Sequence, residues 1–205
     1  LYKEFYVFLM SRAKWFWGAL YYFSNNPVVD RLTRGIRQAT DLASMNGLKD
    51  MLIKEKPDAI VATHFLLPSI AGALKKNRDF KAKLYTVITD YGPHSYWLSD
   101  SIDKFFVGSD FAWKEILKRR IPPGKTEVTG IPVTKEFNKT YNAASLKRKY
   151  RLDRKKKTIL LLSGGFGVGP KEKILRSLNR CKADIQVIVV CGHNKKAYER
   201  IKSIK

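Results

Sequence analysis

Cysteine and histidine are scarce in these 205 residues: two cysteines, Cys181 and Cys191, and three histidines, His64, His94 and His193. Two isolated cysteines exclude a disulfide scaffold and fit a reducing compartment. Cys191 and His193 lie close together, but no second Cys or His pair stands at metal-ligand spacing, so no metal is expected. No apolar run reaches the roughly 18–20 residues needed to span a bilayer, and no signal peptide is visible. Negative charge is also short. Eighteen Asp and Glu face 40 Lys and Arg, for a formal charge of +22. Such a balance suits phosphate-bearing partners (nucleic acid, anionic lipid or nucleotide) or a merely solvated basic surface. The first residue is Leu1, and Ile204-Lys205 ends the chain within a helix-like stretch, so a piece truncated at both ends is expected.

Aromatics are plentiful where the chain begins. Residues 1–25 read as a helix and hold ten of them: Tyr2, Phe5, Tyr6, Phe8, Trp15, Phe16, Trp17, Tyr21, Tyr22 and Phe23. They are not confined to one stripe, so the helix is either buried on most sides or partly sunk in a membrane interface. Asn25-Asn26-Pro27 breaks it. Val28–Glu55 reads as a second helix, with Leu32, Ile36, Ala39, Ala43, Leu48, Leu52 and Ile53 near a 3.6-residue period. Beyond Lys56-Pro57 the pattern alternates. Strands are predicted at 58–63, 83–89, 104–107 and about 128, and helices at 68–76 and, capped by Ser109, to about 119. Strand and helix in alternation argue for a parallel sheet with helices on both faces.

Residues 135–157 carry ten basic and two acidic side chains. They read as a linker with a short helix. A second β-α-β-α unit then opens: strand 158–162, glycine-rich loop 163–169, helix 170–179, strand 185–190, and helix from 194. The predicted domains are therefore 1–137, a basic linker 138–157, and 158–205.

Two segments carry candidate chemistry. Leu162-Ser163-Gly164-Gly165-Phe166-Gly167-Val168-Gly169-Pro170 runs from a strand through glycines into a helix start. Glycines admit a phosphate close to the backbone, and helix N-termini present free N–H groups. It is not a clean dinucleotide fingerprint, and a plain tight turn is the competing reading. The second segment, Thr89-Asp90-Tyr91-Gly92-Pro93-His94-Ser95-Tyr96-Trp97, begins where a parallel strand ends, the edge at which such sheets bind ligands. Asp90 and His94 could polarise a hydroxyl, and Trp97 could contact a sugar or lipid. Alternatively Asp90 caps a turn and Trp97 packs on the sheet. His64 also follows a strand, where a lone histidine is more often a hydrogen-bonded structural residue.

The order of motifs resembles a known family. Pro57-Asp58-Ala59-Ile60-Val61 comes first, then Thr89-Asp90 with His94 and Trp97, then Val128-Thr129-Gly130-Ile131-Pro132. Ser163-Gly164-Gly165-Phe166-Gly167 follows, and Val189-Val190-Cys191-Gly192-His193-Asn194 closes the series. It is similar to the monogalactosyldiacylglycerol synthase and processive diacylglycerol glucosyltransferase group of glycosyltransferase family 28. The resemblance implies an α/β fold of GT-B type with two Rossmann-like domains, here an N-terminal domain lacking its first strand and a C-terminal domain only begun. It implies an inverting transfer of hexose from UDP-glucose or UDP-galactose to diacylglycerol, without metal or other cofactor. The expected place is the inner face of the cell membrane, on anionic lipids. His64, Asp90, His94 and Trp97 fall on the acceptor side. Gly164, Gly165, Phe166, Gly167, Gly192 and Asn194 fall near the donor. The family's usual base lies upstream of Leu1 and its late donor motif beyond Lys205, so this piece alone is expected to be inactive. The alternatives are a related enzyme with another lipid acceptor and a non-catalytic nucleic-acid binder. Aromatics concentrated in one helix argue against the latter, and no nucleic acid is expected as partner.

Overall fold

A computed structural model describes residues 14–76, 80–162, 164, 171–181 and 183–204, with backbone alone at 14 and 17. The expected helix through Tyr2, Phe5, Tyr6 and Phe8 lies outside the described residues, as do the Trp17 side chain and Gly165, Phe166 and Gly167. Contacts divide the chain into a unit spanning Gly18–Thr134 and a second that holds Lys135–Lys205.

Helix α1 (Lys14–Ser24) leads into α2 (Pro27–Ser44). Asn26 caps α2, its side-chain oxygen accepting from the Val28 N–H at 2.9 Å, and Pro27 fills the first turn. The single helix expected to Glu55 is in fact two. Met45 leaves helical geometry, and α3 (Asn46–Glu55) restarts with Asn46 and Gly47, both poor helix formers. Lys56 ends α3 in the left-handed region ahead of Pro57. Then come β1 (Ala59–Ala62), α4 (Leu66–Lys75), β2 (Lys83–Ile88), a 3-10 turn (Ser95–Trp97), β3 (Lys104–Val107), α5 (Asp110–Leu117) and β4 (Thr126–Val128). Ser109 caps α5 as predicted, accepting from Ala112 N–H.

The four strands form one parallel sheet in the order β1-β2-β3-β4. Parallel strands need crossovers, which α4 and α5 supply. Register places Ala62, Thr86, Phe105 and Thr126 in one row. Phe105 of that row and the neighbouring Ile60, Leu84, Ile88 and Val107 form the core with Ile70, Ala71, Leu74, Ala112 and Ile116 of the helices. Burying one such side chain contributes about 1.5–3 kcal/mol. Both crossover helices pack on the row containing Phe105. Among the described residues of the opposite face, Val61 is exposed, Tyr85 and Phe106 are half-buried and Val87 is buried. Asp103 sets the start of β3. Its carboxylate accepts from Lys75 Nζ at 2.6 Å and Leu84 N–H at 2.7 Å, while its own N–H bonds the Leu84 carbonyl.

The second unit has α6 (Ala143–Lys149), β5 (Lys157–Leu162), α7 (Lys171–Arg180), β6 (Ile185–Val190) and α8 (Lys195–Lys202). β5 and β6 pair in parallel, Leu162 opposite Val190. The basic segment is tied down: Gln186 accepts from Asp153 N–H at 2.9 Å and donates to the Asp153 carbonyl at 2.8 Å, and Lys147 Nζ donates to the Arg154 and Lys156 carbonyls. Among the described residues of this unit only Lys171, Cys191 and Ala197 are buried.

Two hydroxyls flanking Phe105, Thr86 Oγ1 and Thr126 Oγ1, are buried without a hydrogen-bond partner among the described residues. An unmet buried hydroxyl destabilises the fold by about 1–3 kcal/mol. Thr86→Val, of nearly equal shape, is therefore expected to raise stability by about 1 kcal/mol, read as a higher midpoint in urea. A lower midpoint would show that the hydroxyl is satisfied.

Candidate functional site

The carboxyl ends of β1 and β2 bring together residues that are far apart in sequence. Past β1, His64 is exposed; its Nδ1 accepts from Leu66 N–H at 3.3 Å, and its ring stacks on Phe65 at 4.3 Å. Phe65 meets the edge of Trp97 at 6.1 Å and Tyr96 at 5.7 Å. Past β2, Asp90 accepts from Trp97 Nε1 at 2.6 Å. Trp97 is buried, so an unbonded indole N–H would be costly, and the carboxylate holds the ring in place. His64, Asp90 and Trp97 therefore share one wall, with an exposed imidazole at its rim.

His94 turns the other way. It is buried; Nδ1 accepts from Tyr96 N–H at 3.1 Å, and Nε2 lies 3.2 Å from the Tyr21 carbonyl and 3.3 Å from Ser24 Oγ. With Nδ1 accepting, the proton sits on Nε2 and is donated to Tyr21. Both nitrogens are spent on fixing α1 to the 95–97 turn. His64 Nδ1 is engaged in the same way, so in its neutral form the ring offers an N–H donor at Nε2. Burial pushes the His94 imidazole below its usual range, outweighing the Tyr21 carbonyl bond, and Arg119 adds to the lowering. The Tyr21 phenol is pushed up, first by burial and then by the Asp90 carboxylate.

Behind the wall lies a polar brace that sequence patterns do not reveal. Arg119 donates to Ser95 Oγ, to the Asn25 carbonyl at 3.2 Å and to Asn25 Oδ1 at 3.0 Å. Asn25 Oδ1 also accepts from Ser95 N–H at 2.8 Å. Arg37 lies over the Tyr96 ring at 3.9 Å while pairing with Asp30 at 2.8 Å. The available signals were an Asn-Asn-Pro corner and an arginine at a helix end, neither of which names its partner.

At the end of β4, Gly130 adopts φ +82, a conformation glycine takes freely, and its N–H bonds the Val107 carbonyl. In the second unit Gly164 and Gly192 each lie two residues beyond the paired Leu162 and Val190, both in the left-handed region. The two turns thus sit side by side at one sheet edge. Asn194 caps α8, its Oδ1 accepting from Ala197 N–H at 2.9 Å. Among the described residues no group of three or more His, Cys, Asp or Glu side chains is placed to hold a metal.

A family model for monogalactosyldiacylglycerol (MGDG) synthase matches residues 1–133. This chain belongs to that family. The match covers all but the last residue of the unit Gly18–Thr134 and stops short of Gly164, Gly192 and Asn194. Similar curated relatives are processive diacylglycerol beta-glucosyltransferases: that of Bacillus cytotoxicus is 36% identical and that of Bacillus cereus strain AH187 34% identical, both over 148 residues. Each alignment takes in 72% of this chain and 37% of the relative, so the chain spans little more than a third of their length. Among solved structures, a Listeria monocytogenes protein described as a UDP-N-acetylglucosamine 2-epimerase superposes with a TM-score of 0.55 at 16% identity, covering 78% of this chain and 46% of that one. That likeness concerns the fold, which is α/β of GT-B type and of which this member of the MGDG synthase family holds part.

The depressed imidazole of His94 makes the family unit pH-sensitive. The unfolded chain binds a proton there near pH ~6.5, the folded chain only at lower pH. Stability is thus full above that value and falls as pH drops towards the folded one. In His94→Gln the loss of melting temperature between about pH 7.5 and about pH 5.5 is expected to be smaller than in wild type. An unchanged loss would assign the pH dependence to other groups.

Proposed function

We propose that the whole protein transfers a hexose from a UDP-sugar to the hydroxyl of diacylglycerol at the surface of a membrane. The match of residues 1–133 to the MGDG synthase family carries this reading, and the names of the similar relatives supply the acceptor. In the reaction the acceptor oxygen forms a bond to the anomeric carbon from the face opposite the nucleotide. The bond to the diphosphate breaks, UDP leaves with the electron pair, and the hydroxyl proton passes to a base. Inversion follows from that single displacement.

The acceptor side of this reading is the wall of His64, Asp90 and Trp97. His64 offers an Nε2–H donor to an oxygen of the glycerol backbone, and Trp97, fixed by Asp90, offers an apolar flank. His94 supports the turn from behind. Both nitrogens of His94 are spent on its packing, and the base is assigned to no residue described in this chain. The donor side rests on the paired left-handed turns at Gly164 and Gly192, where N–H groups beside a sheet edge suit a diphosphate. Gly165, Phe166 and Gly167 belong to the same proposed loop, with Asn194 shaping the neighbouring helix start.

The full-length protein, given UDP-glucose or UDP-galactose and vesicles containing diacylglycerol, is expected to form a glycolipid with one donor, detected by mass spectrometry. No product with either donor, from folded protein bound to the vesicles, would overturn the reading. In the same assay His64→Ala is expected to raise the apparent KM for diacylglycerol about tenfold, as the loss of one hydrogen bond implies. The donor KM is expected to stay unchanged. An unaltered acceptor KM would remove His64 from the acceptor side.

A further inference from the structure

Two aromatic rings of the first unit stack on its surface and stay in the open. Tyr91 and Phe111 lie 4.7 Å apart with 13° between their planes, yet Tyr91 is 75% exposed and Phe111 44% exposed. With one face against Phe111, a ring so exposed presents its other face to solvent. Their place follows from the sheet. Tyr91 comes just after Asp90, past the carboxyl end of β2, and Phe111 stands in the first turn of α5, past the carboxyl end of β3. Neighbouring parallel strands therefore deliver both rings to the edge at which such sheets bind ligands.

The same edge holds the wall of His64, Asp90 and Trp97, and Asp90 belongs to both features. Its Oδ2 accepts from Trp97 Nε1, while its Oδ1 accepts no hydrogen bond among the described residues, and the residue is exposed. Asp110, the residue before Phe111, is also exposed and forms no ion pair among the described residues. On the far side of Tyr91 stands Gly92, where an added Cβ would meet nothing within 4 Å, so the space next to the ring is free.

This chemistry selects an occupant. Carboxylates beside both rings repel phosphate, which sets aside a nucleotide or an anionic headgroup. An aromatic face carries negative charge density and attracts the weakly positive C–H bonds of an apolar ring face. The carboxylate oxygen beside it accepts charge-assisted hydrogen bonds from hydroxyls at the rim of such a ring. A hexopyranose has both, C–H faces and a rim of hydroxyls. A purely apolar partner would cover the carboxylate without pairing it. We propose that Tyr91 and Phe111, with Oδ1 of Asp90, form a binding platform for a neutral hexose ring. This rests on the reading that the protein transfers a hexose, and it gives the sugar a place beside the wall. Two sources supply such a ring: the UDP-sugar donor, and a glycolipid that already carries one hexose and is offered as acceptor.

The test uses the full-length protein with Tyr91→Ser, Phe111→Ser and Tyr91→Phe. Both side chains are exposed, and unchanged melting temperatures establish that folding is intact. Saturation-transfer NMR with methyl glucoside and methyl galactoside reads ring contact without turnover. Wild type and Tyr91→Phe are expected to transfer saturation to the C–H protons of one glycoside, and both serine variants about fivefold less. Steady-state kinetics then separates the sources. If the glycolipid supplies the ring, Tyr91→Ser raises the KM for monohexosyl diacylglycerol about fivefold and leaves those for diacylglycerol and the UDP-sugar within about twofold. If the donor supplies it, the KM for the UDP-sugar rises instead, and inhibition by UDP, which lacks the hexose, is unchanged. Saturation transfer absent from wild type, or equal in wild type and both serine variants, overturns the proposal. So does a Tyr91→Phe variant as impaired as Tyr91→Ser, because the ring face is then not what binds. Ring contact with every KM unchanged overturns it too, since the platform then serves neither source. A wild-type protein that makes no glycolipid, yet transfers saturation in a manner dependent on Tyr91, defeats the reading of the reaction and leaves the platform standing.

Discussion

The guanidinium of Arg119 joins three stretches of chain separated by about seventy and by twenty-four positions: the α1–α2 corner at Asn25, the turn at Ser95 and the end of α5. A planar fork with several donors is the one side chain that can meet two oxygens of Asn25 and the Ser95 hydroxyl together. Once Ser95 is fixed, its neighbours follow. His94 points back to Tyr21 and Ser24, Tyr96 lies under Arg37, and Trp97 turns inward to meet Asp90. Without the brace the 95–97 turn would be a surface loop with a large indole to bury. With it, the turn becomes the wall against which His64 and Phe65 stand.

The same polar economy explains α2. A helix that buries Asp30 and Gln38 and half-buries Asp41 is stable only if each finds a partner, since an unmet buried carboxylate is strongly destabilising. Arg34, Arg37, Lys76 and Ser69 supply them. This leaves Leu32 and Ile36, which carry the apolar period of α2, exposed on the outside. The exposed Leu20, Tyr22 and Phe23 of α1 belong with this picture: the described part of the aromatic helix is not buried on all sides. Two helices that spend polar groups inward and keep apolar groups outward are suited to contact something other than water.

The division between the two units also has a physical cause. The sheet of β1–β4 closes around Phe105 with two crossover helices and a shared apolar core. The unit of β5 and β6 has only Lys171, Cys191 and Ala197 buried among its described residues, and it is held by backbone pairing and by side chains such as Gln186 and Lys147. Turn geometry at Gly164 and Gly192 is nonetheless set, because left-handed backbone at a strand end is local and glycine adopts it without strain.

Local chemistry was readable from the residues themselves. Strands 104–107 and 185–190, the Ser109 cap, the helix stop before Pro57 and the glycine turns all follow from short-range patterns, and the order of motifs pointed to the family. Three things required the tertiary structure. The split of α2 from α3 at Met45 is a choice between two helical geometries that the apolar period does not distinguish. The inward face of α2 is not given by that period, because partners such as Lys76 and Ser69 outweigh apolar spacing once they are brought alongside. The orientation of His94 away from His64 and Trp97 depends on Tyr21 and Ser24, 73 and 70 residues upstream. A sequence fixes what each side chain can donate, accept or bury; only the fold decides which partner, distant along the chain, arrives within 3 Å to take it up.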